Sequence, residues 1–309
     1  MPENKLYPPE GLHPPVHLTL SDLREALESG AILEAPVQRC DVNHTLCLSL
    51  GGVQGYISRE EAVAPWISGA ERGIAVLSRV GKPTCFTVTA LESDSKGAPV
   101  ARLSRRAAQE RAMEHFLEHL APGSLLTGRV TRLESFGAFV DVGCGIVAML
   151  PTEHISVSRI SHPKERFQTG QKILTAVRTI DQETRRITLT HRELLGTWME
   201  NASRFRPGET VRGTVRTVKD YGSFIELAPN LSGLADARDL APGDGASVLI
   251  KSIRPERMKI KLQVIERLPP APPEPIRYQI TDGKLDRWVY SPPGYEKPAV
   301  ETVFTETSP

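Results

Sequence analysis

The sequence of 309 residues predicts a mainly β protein, built from tandem five-stranded antiparallel barrels joined by short α-helices. Two observations carry this prediction. Residues 128–142 and 213–227 repeat one another position by position, and each copy has the alternating pattern of a strand after a glycine. In addition, two segments with helical periodicity each end at a Pro-Gly pair just before a copy begins.

The bulk properties fit a chain of several modest folding units. The composition is 39% hydrophobic and 24% charged, no segment approaches the length of a membrane span, and the N-terminus lacks the apolar core of a signal peptide. We therefore expect a cytoplasmic protein without membrane contact. The overall charge of +1 conceals a net +3 in residues 121–195 and again in residues 206–268, which permits contact with phosphates.

The cysteines and histidines predict neither a cofactor nor a metal site. No Cys-x-x-Cys pair occurs, so free thiols are expected, with a disulfide between Cys40 and Cys47 as the alternative. His115 and His119 could face one metal ion from a helix, but no third ligand accompanies them, and a solvated helix face is the favoured interpretation.

The N-terminal third contains a weaker copy of the repeat. Residues 1–18 hold five prolines and predict a disordered lead, and Ser21 is the expected N-cap of a short helix that ends at Gly30. The weaker copy starts near residue 31 and has His44 and Cys47 where the later copies have aromatic residues. It predicts a barrel that makes protein contacts or serves a structural role, with His44 as a remaining candidate for stacking.

The central elements follow from periodicity. Helices are expected from Ser104 to Leu120 and from His191 to Phe205, with Phe116 and Trp198 clamping barrel ends. Strands are expected at residues 125–133, 137–143, 146–150, 171–180 and 185–191. Five short strands with a bridging segment between the third and fourth describe an oligonucleotide-binding fold (OB-fold) barrel, and the last repeat fits the same plan.

The C-terminal region begins with a proline-rich linker after Leu268. The tail that follows holds five aromatic residues, more than a disordered segment would carry, and partial docking on a barrel or on a partner is expected. These residues are Tyr278, Trp288, Tyr290, Tyr295 and Phe304.

The phase of the repeated strand suggests exposed rings. Because side chains alternate, Phe139 shares a face with Asp141, and Phe224 shares a face with Glu226. A phenylalanine on the carboxylate-bearing side of a strand is a poor core residue and a good stacking platform.

A second aromatic residue stands three positions before each phenylalanine, across a glycine. Phe136 and Tyr221 occupy these positions, and paired exposed rings suit nucleobases, each stack being worth roughly 1–3 kcal/mol. The alternative is an aromatic residue that covers a loop or meets a neighbouring domain.

Several spaced elements resemble the S1 domain family of RNA-binding barrels. They are strongest between residues 128 and 190, through Phe136-Gly-Ala-Phe139, His162-Pro163, Phe167, Gly170-Gln171 and the strand ending at Thr190. The last repeat matches through Tyr221-Gly-Ser-Phe224, and the first unit resembles more divergent members through Leu103-Ser-Arg-Arg-Ala-Ala. Three barrels are fewer than typical members with several S1 domains have, and this architecture resembles the short S1-like proteins of some Gram-positive bacteria.

The resemblance implies an RNA site. The family's ring pair falls on Phe136 and Phe139, its acidic residue on Asp181, and its basic residue on Arg186. Asp181 has the alternative role of capping a turn. The family's histidine aligns with Pro151, and His154, three residues away, is a candidate that could reach the site from the bridging segment, with a surface histidine as the favoured alternative. The other candidates for RNA contact are Arg185, Tyr221, Phe224, Lys259 and Lys261.

Together these features predict a non-catalytic protein that binds single-stranded RNA in translation, with messenger RNA and the small ribosomal subunit as partners. The alternatives are a protein-interaction scaffold, acting through residues 1–105 or the tail, and an RNA-binding regulator of transcription or RNA decay. The expected units are 1–29 (lead and helix), 30–105 (divergent barrel), 106–120 (helix), 121–192 (best-matching barrel), 193–206 (helix), 207–268 (shorter barrel) and 269–309 (linker and tail).

Overall fold

Three closed five-stranded barrels follow one another in the computed structural model, which describes residues 6–12, 17–67, 73–270, 272 and 275–305. The first barrel contains β1 (Ile32–Cys40), β2 (Leu46–Leu50), β3 (Val53–Ile57), β4 (Pro83–Ser93) and β5 (Pro99–Ser104). The second contains β6 (Leu125–Glu134), β7 (Gly137–Gly143), β8 (Ile146–Pro151), β9 (Lys172–Asp181) and β10 (Arg186–Thr190). The third contains β11 (Thr210–Lys219), β12 (Gly222–Ala228), β13 (Leu231–Ala235), β14 (Gly245–Arg254) and β15 (Lys259–Leu268).

Besides the barrel strands and short 3-10 turns, the described residues form four α-helices and a short ribbon. The helices are α1 (Leu20–Ser29), α2 (Gly73–Leu77), α3 (Arg105–His119) and α4 (Trp198–Ala202), and the ribbon pairs β16 (Arg287–Val289) with β17 (Glu301–Val303). None of the helices in the described ranges is both long and apolar enough to cross a bilayer.

All three barrels share one strand order. The first strand pairs with the second and the fourth, and the third strand lies parallel to the fifth to close the barrel. This confirms the expected OB-fold plan. The five strands predicted for the second barrel are all present, and their phase is confirmed because Ala138, Val140 and Val142 are fully buried.

The barrels also share two β-bulges. The first strand of each skips one residue, at 38, 131 and 216, and the fourth strand skips one at 89, 178 and 251. Bulges bend a strand and increase its twist, which closure of a small barrel requires. The backbone of the first barrel therefore repeats that of the other two, although its sequence resembles theirs only weakly.

Helix α1 begins two residues before its predicted start, because a different side chain caps it. Helix α1 is capped by Thr19 rather than Ser21, because the Thr19 hydroxyl accepts from the N–H of Asp22 and the Asp22 carboxylate accepts from the N–H of Thr19. Helix α3 matches its prediction, with Ser104 as N-cap and Phe116 buried in the core of the second barrel.

The expected helix from 191 to 205 is wrong as a continuous element. A 3-10 turn at Arg192–Leu195 is followed by Gly196 at φ 86°, and Thr197 then caps the separate helix α4. Glycine adopts this positive φ at little cost, and the backbone there is not helical, so the two helical segments are separate. Trp198 still packs in the core of the third barrel, as predicted.

The expectation of a disordered lead is wrong for part of residues 1–18, because Tyr7, Pro9 and Glu10 are buried. The carboxylate of Glu10 lies 2.7 Å from Arg105 Nε and 2.8 Å from Arg79 Nη2, and it accepts from the N–H of Cys85 at 3.1 Å. The segment is thus fixed by an ion pair to α3, an ion pair to Arg79 in the loop before β4, and a hydrogen bond from β4. Residues 1–5 and 13–16 of the lead lie outside the described residues.

The C-terminal tail docks on the chain's own barrels. Trp288 and Tyr290 are buried in the core of the third barrel, and Phe304 packs with Leu125 of the second. The Tyr278 hydroxyl accepts from the N–H of Leu174 at 3.0 Å, and the Tyr290 hydroxyl donates to a backbone carbonyl oxygen. The tail therefore holds two barrels at once.

Two matched glycines allow the tail contact to be measured. Gly123 has φ 86°, and a Cβ there would lie 1.8 Å from the carbonyl oxygen of Leu285 in the tail, whereas Gly208, at φ 90°, has open space. Replacing either by alanine costs roughly 1–2 kcal/mol for the left-handed backbone. We expect Gly123→Ala to lower the free energy of unfolding by clearly more than Gly208→Ala in urea denaturation. Equal losses would contradict the docking of the tail.

Candidate nucleic-acid interface

The second barrel carries one pair of rings at the turn between β6 and β7. Phe136 is 55% exposed and Phe139 is half-buried, with ring centroids 6.0 Å apart and planes at 89°. This edge-to-face arrangement is favourable for aromatic pairs. The Arg132 guanidinium lies 4.5 Å from the centroid of the Phe139 ring, so a cation adjoins the platform.

The backbone fixes the position of the exposed Phe136 ring. A Cβ at Gly137 would lie 2.7 Å from the carbonyl oxygen of Leu150, so glycine lets β7 approach β8 directly beside the ring. The carbonyl oxygen of Phe136 accepts from the N–H of Thr152 at 3.0 Å. The turn is therefore tied to the segment that follows β8.

The third barrel repeats this arrangement between β11 and β12. Tyr221 is 59% exposed, Phe224 is half-buried, and their ring centroids are 6.2 Å apart with planes at 87°. Gly222 again permits a close approach, because a Cβ there would lie 2.3 Å from the carbonyl oxygen of Ala235. The two barrels thus hold the same pair of rings in the same geometry.

A row of side chains crosses each barrel through the second ring of the pair, and we call it the ring row. It is defined by residues paired in register on the first, second, third and fifth strands. In the second barrel it consists of Arg132, Phe139, Met149 and Thr188, and in the third of Thr217, Phe224, Leu234 and Lys261. The third barrel therefore carries its cation on the fifth strand instead of the first.

Arg132 was not among the sequence-predicted site residues, and the bulge explains why. Val130 pairs with the buried Val140, so simple alternation places Arg132 on the inward face. The extra residue at 131 shifts the register by one, and Arg132 pairs with Phe139 instead. A one-residue shift in register moves a side chain to the other face of a strand. No local pattern in the sequence predicts this bulge.

The sequence predicted that the second ring of each pair is exposed because a carboxylate shares its strand face, but both carboxylates are buried and this reason is wrong. Asp141 is 3% exposed, and its carboxylate accepts from the N–H groups of Glu10 and Gly143, both at 2.9 Å. Burial raises the pKa of Asp141 to about 7. Glu226 is 8% exposed and pairs with Arg166 and Arg216. Other parts of the chain therefore cover the end of the second strand that carries the carboxylate, whereas the first rings, Phe136 and Tyr221, stay exposed just before the start of that strand.

Asp181 and Arg186 lie opposite each other at the ends of β9 and β10, and both are exposed. One carboxylate oxygen of Asp181 accepts from the N–H groups of Glu183 and Thr184, at 3.0 and 2.9 Å. The hydrogen bonds from Thr184 hold the pKa of Asp181 below its usual range. Asp181 therefore caps a turn, the alternative left open by the sequence.

Arg185 and His154 contact residues other than the two rings. The Arg185 guanidinium lies 5.8 Å from the ring centroid of Trp66, which lies between β3 and β4 of the first barrel. The His154 side chain is 20% exposed, and burial lowers its pKa. Its Nε2 atom is 3.9 Å from a carboxylate oxygen of Glu153.

Lys259 and Lys261 are exposed on β15 of the third barrel. Lys259 pairs in register with the exposed Arg254, so two cations lie side by side without an intervening carboxylate at that register position. Lys261 belongs to the ring row, and its ammonium is 4.0 Å from a carboxylate oxygen of Asp236, with 60% of the side chain exposed. These cations can donate hydrogen bonds to phosphate oxygens, and Lys261 can do so in the same row as the Phe224 ring.

The other titratable clusters show no metal-binding arrangement. Within the described ranges, no group of three or more His, Cys, Asp or Glu residues is placed to hold a metal ion. The rings of His115 and His119 stack on one another with centroids 4.2 Å apart. All four cysteines are free thiols.

Comparison with known proteins finds a family model that matches the second barrel and relatives that match most of the chain. A family model for the S1 RNA binding domain matches residues 119–192. The chain is 26% identical over 272 residues to small ribosomal subunit protein bS1 homolog of Bacillus subtilis (strain 168), covering 83% of this chain and 69% of that protein. It is 29% identical over 271 residues to small ribosomal subunit protein bS1 of Leuconostoc lactis, covering 80% of this chain and 61% of that protein.

The relatives are longer than this chain, which spans 47% of bS1 from Staphylococcus aureus (strain COL), at 29% identity. Among solved structures, a multidomain protein with nucleic acid binding domains from Streptococcus pneumoniae matches over 76% of this chain and 73% of its own. Its identity is 13% and its TM-score 0.26. Residues 119–192 therefore match the S1 RNA binding domain family, and the chain is similar in sequence over about four fifths of its length to bacterial proteins named small ribosomal subunit protein bS1.

Proposed function

We propose that this chain is a non-catalytic, cytoplasmic protein that binds single-stranded RNA in translation through its second and third barrels. The observation that carries the proposal is the repeated ring pair. In both barrels the first ring is more than half exposed and stands edge-to-face to the second. Unpaired bases stack on such rings, whereas bases inside a duplex are already stacked on one another.

The charges beside the rings support a nucleic acid rather than an apolar ligand. Arg132 adjoins Phe139, and Lys261 lies in the ring row of Phe224. Stacking platforms flanked by cations are typical of proteins that bind single strands with little sequence preference. The names of the relatives, small ribosomal subunit proteins, favour messenger RNA and the small ribosomal subunit as partners.

We assign roles to the candidate residues from their contacts. Phe136, Phe139, Tyr221 and Phe224 stack on bases, and Arg186, Lys259 and Lys261 bind phosphates. Asp181 holds the turn before Arg186 and can accept a hydrogen bond from a 2′-hydroxyl. Arg185 and His154 are secondary candidates, because their contacts lie elsewhere.

A salt titration of the full chain tests the proposal. Affinity for a fluorescein-labelled uridine RNA of about 20 nucleotides is measured by anisotropy at several salt concentrations. We expect the logarithm of affinity to fall with the logarithm of salt with a slope of about −2 to −4, at roughly −0.7 per phosphate. Duplex RNA of the same length should compete weakly. A slope near zero, or equal competition by the duplex, would contradict single-strand binding.

The alternative function, a protein-interaction scaffold that binds a partner through the C-terminal tail, is not supported by the position of two of the tail's aromatic residues. Trp288 and Tyr290, which could have contacted an external partner, are buried in the core of the third barrel. Their aromatic surface is used inside the chain.

A further inference from the structure

The first barrel has its own ring row, which consists of Arg39, Cys47, Tyr56 and Arg102. We propose that this row is a third contact site for single-stranded RNA, in which Tyr56 supplies the stacking ring. The aromatic residue stands on the third strand rather than the second. This inference rests on the proposed function of the other two barrels and extends it to the unit in which the sequence predicted no ring pair.

The equivalence of the positions comes from the bulges. In all three barrels the ring row begins one residue after the bulge of the first strand, at Arg39, Arg132 and Thr217. It meets the fourth strand one residue after the bulge there, where Ala90 pairs with Arg102 and Thr179 pairs with Thr188. Tyr56 therefore occupies the place of Met149 and Leu234 in the other barrels.

Compared with the later barrels, the ring row of the first barrel has its aromatic residue on the third strand and its non-aromatic residue on the second. The later barrels have phenylalanine on the second strand, next to Met149 or Leu234 on the third. The first barrel has the small Cys47 on the second strand, 2% exposed, next to the half-buried Tyr56 on the third. Each ring row thus keeps one large ring.

The positions of the cations also support an RNA contact site in the first barrel. Of the two later barrels, one has an arginine at the first-strand position and the other has Lys261 at the fifth-strand position. The first barrel has both, as Arg39 and Arg102, and they lie on opposite sides of the Cys47–Tyr56 pair. Arg39 is exposed, and the Arg102 guanidinium is 5.9 Å from the centroid of the Tyr56 ring.

Arg102 can exchange its present partner for a phosphate. Its Nε atom is 3.1 Å from a carboxylate oxygen of Glu92, and the two side chains are 55% and 50% exposed. Ion pairs this exposed contribute little to stability, because water and salt screen them. A phosphate oxygen that arrives with a base stacked on Tyr56 therefore displaces a weak contact.

One ring rather than two makes this a weaker site than the others. His44 lies in the turn between β1 and β2, with φ 61°, and its Nε2 atom is so close to Gly73 that a Cβ there would be 2.8 Å away. The imidazole is therefore packed against the start of α2. We expect the first barrel to contact RNA that is already held by the second and third barrels.

Photocrosslinking of the full chain tests this site separately from the others. The probe is a uridine RNA of about 30 nucleotides that contains 4-thiouridine, long enough to span several sites at the 4–16 nucleotides typical of one OB-fold. Trypsin then releases residues 40–59, which include Tyr56, residues 133–159, which include the first ring pair, and residues 220–238, which include the second. We expect crosslinks in all three peptides.

Variants at Tyr56 give the matched comparison. Tyr56→Ala should lower the crosslink yield in residues 40–59 by roughly fivefold or more, the equivalent of one lost stack, while the yield in 133–159 is unchanged. Tyr56→Phe keeps the ring and should keep the crosslink. Arg102→Gln changes an exposed side chain, so it is expected to fold normally and to lower the same yield.

The outcomes separate the two proposals. Crosslinks in 133–159 and 220–238 without one in 40–59, or an unchanged yield in both Tyr56→Ala and Arg102→Gln, would overturn the third site and leave the proposed function standing. That pattern would favour a protein partner for the first barrel. Crosslinks in none of the three peptides would overturn the proposed function itself.

Discussion

Replacing Phe136 and Phe139 together by alanine is expected to lower the affinity of the full chain for a 20-nucleotide uridine RNA by roughly 10–100-fold. Each lost base stack is worth roughly 1–3 kcal/mol, and the third barrel retains part of the binding. The Arg132 guanidinium also loses the ring beneath it, 4.5 Å away. Fluorescence anisotropy at fixed salt concentration measures the change.

The control for this variant is Ile265→Ala. Ile265 is 56% exposed, like Phe136, but lies outside all three ring rows. It should leave RNA affinity unchanged, and circular dichroism should show the same barrel content in both variants. The double change of Tyr221 and Phe224 to alanine should weaken binding less, because Thr217 stands where the second barrel has Arg132. Unchanged affinity in both double variants would rule out the ring pairs as the site.

Replacing Glu10 by alanine is expected to lower the free energy of unfolding by about 3–5 kcal/mol, the usual loss when one partner of a buried ion pair is removed. Two arginines would remain without their carboxylate, since the Arg105 side chain is 5% exposed and the Arg79 side chain 16%. The N–H of Cys85 would lose its acceptor as well. Urea denaturation measures the loss.

The matched control is Glu110→Ala on α3. Glu110 pairs with Arg106 at 3.9 Å, and both side chains are 39% exposed, so its removal should cost less than about 1 kcal/mol. Equal losses in the two variants would show that the N-terminal segment is not fixed by Glu10.

The effect of Glu10 should also depend on pH. Burial opposes ionisation of this carboxyl, but Arg105 and Arg79 outweigh burial and hold its pKa below the ordinary value of 4.5. A carboxyl with a lowered pKa in the folded state stabilises that state above its unfolded pKa and loses this contribution as pH falls. The difference between Glu10→Ala and the parent chain should therefore shrink below about pH 4.5.

The strands were predictable because their signal is local. Alternation of side chains placed Ala138, Val140 and Val142 on the inner face, and all three are fully buried. Repetition of the same pattern at Ser223, Ile225 and Leu227 showed that a second barrel follows. The pairing of Phe136 with Phe139, and of Tyr221 with Phe224, came from the same short segments.

Sequence alone therefore determined the strands of the second barrel and the ring pairs, since each depends on residues within a few positions of one another. Only the tertiary structure decided the burial of Glu10, whose partner Arg105 is 95 residues away, and the docking of Trp288 in the third barrel. The same holds for Arg132, because a bulge is a response of the strand to closure of the whole barrel. Charge burial, bulges and docking are set by partners distant in the chain, which no local periodicity records.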